Sequence, residues 1–298
     1  MKPAPFRYCR PGSLAEAVEI LAVEPDAKVL AGGQSLVPLL SMRLASPSVL
    51  VDINGLPGLD HVATGPDGVR VGALARHAAV LADADARRCQ PLLAESLGHV
   101  AHATIRNRGT TVGSLVHADA AGELPAVLVV LGGSVEATSS RGTRTIAASD
   151  LFAGPLESTV AHDEVAVGAF FPALPSGGGV AFDEVARRHG DYALCGVAAV
   201  VRLQQDRVIE ARAGYLSVSE VPTVVDLTEH LADGVDEQGL AAAGAAALER
   251  LEPLADIHAT AEYRAQLVRV LTARVLVAAV DDARRRSATA GNSEERRP

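Results

Sequence analysis

The sequence predicts an α+β protein in two parts, an N-terminal α/β region and a C-terminal antiparallel sheet with helices. Three observations predict it. Two glycine loops, Ala31-Gly32-Gly33-Gln34-Ser35-Leu36 and Gly109-Thr110-Thr111-Val112-Gly113-Ser114, each sit in a strand–turn–helix setting. A break rich in proline and glycine follows at residues 172–179. Beyond it, three β-rich runs separated by short polar turns lead into two helical stretches, the pattern of an antiparallel meander closed by helices.

Taken in order, Ser13-Leu14-Ala15-Glu16 is a capping box, and Leu14, Val18 and Leu21 follow at helical spacing. Residues 27–31 form a strand candidate that runs directly into the first glycine loop. A short helix at 36–44 and a buried strand at 49–53 complete a βαβ-like opening. The dinucleotide fingerprint G-x-G-x-x-G is absent, so a standard Rossmann domain is not the expectation. Another strand is expected at 69–73, with helical stretches at 75–82 and 91–102. The polar, glycine-bearing segment 103–114 reads as loop. A strongly apolar helix at 123–131 ends at Gly132-Gly133. Strands are expected at 134–138 and 164–171, then, past the break, at 180–186, 195–203 and 208–218. Helices are expected at 237–251 and 261–284, with a polar, frayed tail from Arg285. These boundaries suggest a first domain over 1–175, a second over 176–286 and a flexible tail over 287–298.

The bulk properties exclude several classes of function. With 298 residues, of which 48% are hydrophobic, the chain supports a large folded core. A net charge of −9 argues against nucleic acid as a partner. No apolar stretch approaches the ~20 residues that span a bilayer, and the start resembles no signal peptide, so the expected location is the cytoplasm. Cys9, Cys89 and Cys195 include no C-x-x-C pair, which leaves an iron–sulfur cluster held by four thiolates of this chain out of reach. Any redox chemistry here needs an organic carrier.

Neither glycine loop contains lysine or arginine, while both offer hydroxyl donors. Backbone without side chains suits close approach to a ligand, and successive N–H groups can converge on an anion. A helix start after the loop adds a favourable dipole. The plainer alternative for the first loop is a tight strand-to-helix turn. Asp119 and Glu123, four apart, are either a loop or cap residue and a first-turn acid, or a carboxylate placed to hold ribose hydroxyls. His99, His102 and His117 match no zinc spacing. Arg187-Arg188-His189-Gly190-Asp191-Tyr192 is either a solvated turn or the setting for an aromatic that packs on a flat ring system.

These residues resemble the FAD-binding medium subunit of molybdenum hydroxylases, the group that includes carbon monoxide dehydrogenase and bacterial relatives of xanthine dehydrogenase. The resemblance runs from Phe6 to about Arg274. It rests on Val29–Leu36, Leu50-Val51-Asp52-Ile53, Ile105-Arg106-Asn107-Arg108-Gly109-Thr110, Gly113-Ser114, His117-Ala118-Asp119, Glu123-Leu124-Pro125, Gly190-Asp191-Tyr192-Ala193 and Glu262-Tyr263-Arg264.

The resemblance implies a two-lobed FAD-binding domain of the PCMH/vanillyl-alcohol-oxidase type and a C-terminal domain built on a three-stranded antiparallel sheet. It implies that Ala31, Gly32, Gly33, Gln34, Ser35 and Leu36, together with Gly109, Thr110, Thr111, Gly113 and Ser114, cradle the FAD pyrophosphate. Asp119 then lies at the ribityl or ribose part and Tyr192 approaches the isoalloxazine ring. It further implies an electron-transfer role beside a small [2Fe–2S] subunit and a large molybdopterin subunit that oxidises the substrate, assembled as a dimer of heterotrimers. The run 117–121 and the residues around Glu184 and Tyr192 lean toward hydroxylases of N-heterocyclic compounds.

The chain departs from the family pattern at three places. The second loop usually reads Gly-Thr-Ile-Gly-Gly-Ser or -Asn, and here Thr111 and Val112 replace the isoleucine and the first paired glycine. If that glycine uses φ > 0, Val112 is strained there, because β-branched residues resist that region. Weakened FAD binding, or a non-catalytic scaffold subunit that has lost it, is the alternative this departure raises. Ala120 replaces a usual proline, and Glu184 occupies a position that is often lysine.

Overall fold

The computed structural model describes residues 2–294, with side chains through Thr289. The first lobe is a small parallel sheet. Strands β1 (Arg7–Cys9), β2 (Ala27–Leu30) and β3 (Val49–Asp52) lie in the order β1-β3-β2, with helix α1 (Leu14–Val23) crossing between β1 and β2 and α2 (Leu36–Met42) between β2 and β3. Central β3 is buried along its whole length, which is why it reads as an unbroken apolar run. Helix α1 starts where the capping box places it: the Ser13 hydroxyl accepts the Glu16 N–H, and Glu16 reaches back to the Gly12 N–H. Ala17, Val18 and Leu21 bury its inner face.

The second lobe is a five-stranded sheet of β4 (Val62–Gly65), β5 (Gly68–Gly72), β6 (Ser134–Ser139), β7 (Gly142–Ala147) and β10 (Val165–Pro172), in the order β4-β5-β10-β6-β7 and antiparallel throughout. Between β5 and β6 the chain forms α3 (His77–Ala82), α4 (Ala84–Cys89), α5 (Pro91–His99), α6 (Ala103–Arg106), α7 (Thr111–His117) and α8 (Glu123–Leu131). The short α9 (Ala148–Leu151) and the hairpin of β8 (Phe152–Gly154) and β9 (Glu157–Ser158) lead into β10. Segment 103–114, expected as loop, is therefore largely helical. Helix α8 spans the residues expected of it and stops at Gly132, which takes a left-handed φ of 66°.

The C-terminal sheet is a meander of β11 (Gly178–Ala186), β12 (Ala193–Gln204), β13 (Arg207–Leu216) and β14 (Thr223–Asp226). It has four strands where three are expected, because the short edge strand β14 adds to β13 with Ala213 opposite Val225. Helices α10 (Thr228–Leu231), α11 (Glu237–Arg250) and α12 (Ala261–Glu294) follow. Helix α12 continues through the stretch expected to fray, as far as Glu294; the rest of that stretch, 295–298, lies outside the described residues.

The period of two in a strand decides how the two parts join. Along β12, Cys195, Val197, Ala199 and Val201 enter one apolar core with Val268, Leu271 and Val275 of α12. The alternate residues Ala198 and Val200 enter the core of the second lobe, beside Leu97 of α5 and Val127 of α8. The sheet is thus sandwiched between α12 and the helices of the N-terminal part. Buried Arg264 fixes α12 from the other end, donating to the Ser217 carbonyl and to Asp256.

Candidate cofactor-binding site

The first glycine loop leaves β2 at its carboxyl end, the end of a parallel sheet where ligands characteristically sit. Gly33 has φ of 73°, a region closed to most residues, and this turns the chain into α2. Val37 N–H returns to the Gly33 carbonyl at 3.0 Å. Among the described residues, no protein acceptor takes the N–H of Gly32, Gly33, Gln34, Ser35 or Leu36. These are five successive donors in a half-buried turn. Unpaired backbone donors in such a place need a partner, and an anion suits them. The Gln34 amide braces the turn, donating to the Gly32 carbonyl at 3.1 Å. Ser35, at the start of α2, makes no side-chain capping bond, so its hydroxyl is available.

The second loop differs. Gly109 N–H goes to the Ile105 carbonyl at 2.7 Å, Thr111 N–H to Ala75 at 3.2 Å and Ser114 N–H to Thr110 at 3.0 Å. Thr110 caps α7, its hydroxyl accepting the Gly113 N–H at 3.2 Å. That leaves the N–H groups of Thr110 and Val112 without a protein acceptor among the described residues. The Thr111 side chain is fully buried, with its hydroxyl 3.3 Å from Nδ1 of His77. Desolvation pushes that imidazole down to about 4, so it is neutral. Ser114 sits half-buried in the second turn of α7.

The strain expected at Val112 is absent. Val112 lies in α7 with ordinary helical backbone, and its side chain, 2% exposed, packs into the core of the second lobe with Leu115 and Leu124. A valine serves here as a core residue, and the glycine requirement lies elsewhere.

That requirement is at Gly32, where the two loops touch. A Cβ on Gly32 would stand 2.6 Å from the Arg108 carbonyl oxygen and 2.8 Å from Gly109 Cα. Side chains beyond both loops hold them in this contact. Asn54, just after β3, donates to the Ala31 carbonyl at 2.8 Å. Arg76 donates to the Asn54 side-chain oxygen at 2.7 Å and also to the Arg108 carbonyl. Asp52 accepts the Asn54 N–H at 2.9 Å, its amide at 2.6 Å and the Tyr8 hydroxyl. Desolvation works to raise the Asp52 carboxyl, but the bonds from Tyr8 and Asn54 outweigh it and hold the group below the usual range. Asn54 and Arg76 were not singled out from the sequence. The cue available was an asparagine directly after a buried strand, at the same sheet end as the glycine turn.

Helix α7, seven residues and so ~10 Å long, carries the chain from this junction to Asp119. Ala118 takes φ of 55° at the helix end, and Asp119 then closes a turn by accepting the Ala121 N–H at 2.9 Å. Tyr192 comes to the same place from the connection between β11 and β12. The residue is 63% exposed. At the hydroxyl end, desolvation, then the charges of Asp119 and Glu123 and a hydrogen bond with Asp119, push the phenol up to about 12. The fold thus brings together Asp119 and Tyr192 from different domains. Among the described residues, no group of three or more His, Cys, Asp or Glu is placed to hold a metal ion.

Comparison with known proteins shows the family. Residues 4–174 match the family model described as the FAD binding domain in molybdopterin dehydrogenase, and residues 180–279 match the CO dehydrogenase flavoprotein C-terminal domain. The nicotine 6-hydroxylase medium subunit of Paenarthrobacter nicotinovorans is 41% identical over 281 residues, covering 94% of this chain and 99% of that one. The crystal structure of quinoline 2-oxidoreductase from Pseudomonas putida 86 superposes with a TM-score of 0.89 at 38% identity, covering 95% of this chain and 99% of that one. Reconstituted CO dehydrogenase from Oligotropha carboxidovorans gives a TM-score of 0.90 at 30% identity, covering 95% of this chain and 100% of that one. A two-lobed FAD-binding domain joined to a CO-dehydrogenase-type flavoprotein domain, over nearly the whole chain, places this protein in the family of FAD-binding medium subunits of molybdenum hydroxylases, which are oxidoreductases.

Proposed function

We propose that this chain is the electron-transfer subunit of a three-component molybdenum hydroxylase. In this reading, electrons released by substrate oxidation in a large molybdopterin subunit pass through a small [2Fe–2S] subunit to FAD here and leave to an external acceptor. The assembly is a dimer of heterotrimers. Bound FAD supplies a carrier that accepts electrons singly and releases two.

The observation that carries the reading is the junction at Gly32, where five free N–H groups meet the start of α7. The residues present fit an FAD. Gly32 to Leu36 offer donors for the pyrophosphate, with the N–H groups of Thr110 and Val112 as the second wall. Ala31 and Gly109 shape that wall through backbone contact, and Thr111 and Gly113 secure it from behind. Asp119 would accept from ribityl or ribose hydroxyls, and the largely exposed Tyr192 would pack its ring against the isoalloxazine. No side chain acts as a nucleophile. The free cysteines Cys9, Cys89 and Cys195 offer no cluster ligands, in keeping with iron and molybdenum residing in the partners.

The scaffold alternative rested on strain at Val112, and helical geometry there removes its support. For the substrate, an N-heterocyclic compound is the preferred class. Identity to relatives named for nicotine and quinoline, 41% and 38%, exceeds the 30% to a CO dehydrogenase. Purification of the complex tests the reading: one FAD per copy of this chain is expected, alongside iron, molybdenum and two further subunits. A complex with both metals and all subunits but no flavin contradicts it. Turnover of N-heterocycles against carbon monoxide tests the substrate class.

A further inference from the structure

Alternation along β11 sends an acid into an apolar interface. Val180 and Phe182 pack toward the second lobe, while Ala181 and Val185 pack toward α12. Glu184 therefore points with Phe182 toward α5 and α8. Its side chain is 8% exposed, and among the described residues its Oε2 has no hydrogen-bond partner. Oε1 lies 3.4 Å from Nδ1 of His99, the last residue of α5, whose ring packs on Phe182 with centroids 4.9 Å apart. Glu123, the first residue of α8, lies within electrostatic reach of both. A buried carboxylate oxygen without a partner is costly, and the cost falls when a proton is held nearby. The glycine junction and the Asp119–Tyr192 contact leave this trio unused.

We propose that His99, Glu123 and Glu184 form a proton-holding site in the wall of the cofactor cleft, whose occupancy follows the charge carried there. The proposal deepens the FAD reading and rests on it for the source of that charge. Desolvation raises the Glu123 carboxyl to about 7, against the bond from its own backbone N–H, and the charge of Glu184 adds to the rise. The bond to Glu184 holds the His99 imidazole above its ordinary range despite burial. Nδ1 of His99 and Oε1 of Glu184 stay in contact at 3.4 Å, and near pH 7 Glu123 is divided between its acid and its anion. The other charged groups facing the trio are Asp119 from the α7–α8 turn, Tyr192 across the junction, and Asp183 on β11. Arg274 of α12 neutralises Asp183 at 2.7 Å on the opposite sheet face.

The step is a proton equilibrium. Glu123 carboxylate takes one proton from solvent when negative charge arrives in the cleft and returns it when the charge leaves. No electron passes through the three residues. His99 is 37% exposed at its side chain and gives the site a route to water.

Carboxyl-labelled glutamate in the full chain, followed by carbon NMR against pH, tests the site directly. One glutamate is expected to titrate near 7, and Glu123→Gln abolishes that titration. Glu184→Gln lowers the His99 titration, and His99→Gln raises that of Glu123, so the test survives if one variant fails to fold. With FAD bound and then photoreduced, the Glu123 titration is expected to move up by roughly half to one unit, the effect of one added charge across a partly wet cleft. Every glutamate titrating between about 4 and 5 overturns the site. A titration near 7 that ignores reduction of bound FAD overturns its link to the cleft. Failure to bind FAD at all, with the titration near 7 intact, overturns the FAD reading and with it that link, while the three-residue site stands.

Discussion

The Arg76 guanidinium meets the side-chain oxygen of Asn54 at 2.7 Å, and this one contact ties the two glycine loops together. Asn54 holds the Ala31 carbonyl on one side, and Arg76 holds the Arg108 carbonyl on the other. Arg76→Ala leaves the Arg108 carbonyl and the Asn54 side-chain oxygen short of a donor, and Asn54 loses the brace that aims its amide at Ala31. A loss of about 1–3 kcal/mol is expected, or roughly 5- to 150-fold in FAD affinity, read by flavin fluorescence titration. Arg76→Lys is expected to rescue little, because a single ammonium cannot fork to both acceptors.

Gly32 is the position where the loops have no room for a side chain. Gly32→Ala drives a methyl group into the Arg108 carbonyl and Gly109 Cα. The loops must separate, and FAD affinity is expected to fall by at least about tenfold, or about 1.4 kcal/mol. Equilibrium dialysis against FAD checks this, with circular dichroism as the control for folding.

Val112→Gly restores the family's usual glycine, and it is expected to harm the protein. It strips a buried side chain from the second-lobe core and places glycine in a helix, costing roughly 2–4 kcal/mol. The Tm falls by several degrees in calorimetry, and FAD affinity of the folded protein does not improve. Tighter flavin binding by this variant contradicts the placement of Val112 in the core.

Two acids give opposite pH signatures. Glu164 accepts Arg144 at 2.7 Å, which holds its carboxyl below the usual range despite desolvation. That stabilisation is present above the unfolded-state pKa and is lost as pH falls through the lower folded-state value, so it weakens below about pH 4.5. Glu123 is the reverse. Its raised value means a stabilisation complete below about 4.5 and lost as pH rises through about 7. Chemical denaturation across pH is expected to show Glu164→Gln less stable than the parent at pH 7. Glu123→Gln gains on the parent as pH goes from 4 to 8.

Much of the fold was legible because its signals are local. The Ser13 capping box set α1, the run ending at Gly132 set α8, and β2 led into its glycine turn as expected. Residues 103–114 misled because glycines and polar residues there suggest loop. The helix at 111–117 depends on Thr110 capping Gly113, a signal present in the sequence as a threonine three residues before Gly113 and apolar residues at 112, 115 and 116. Strands β4 and β7 went unread because they are edge strands with mostly exposed or polar residues. At the site, both glycine loops were visible, but their division of labour was not. Five free N–H groups in one loop and mostly satisfied ones in the other are a property of hydrogen bonding that spacing does not reveal. Glu184 and His99 were noticed separately, yet 85 positions divide them and only the pairing of β11 against α5 brings them together.

The central claim is that the loops joined at Gly32 grip a pyrophosphate. Titrating the flavin-stripped chain with FAD and with riboflavin, which shares the ring but lacks phosphate and adenosine, tests it most directly. The account predicts that FAD binds at least about 100-fold more tightly, a difference of about 2.7 kcal/mol, and that Gly32→Ala removes most of that advantage. Equal binding of the two flavins, or a Gly32→Ala variant that keeps the full preference for FAD, would contradict it.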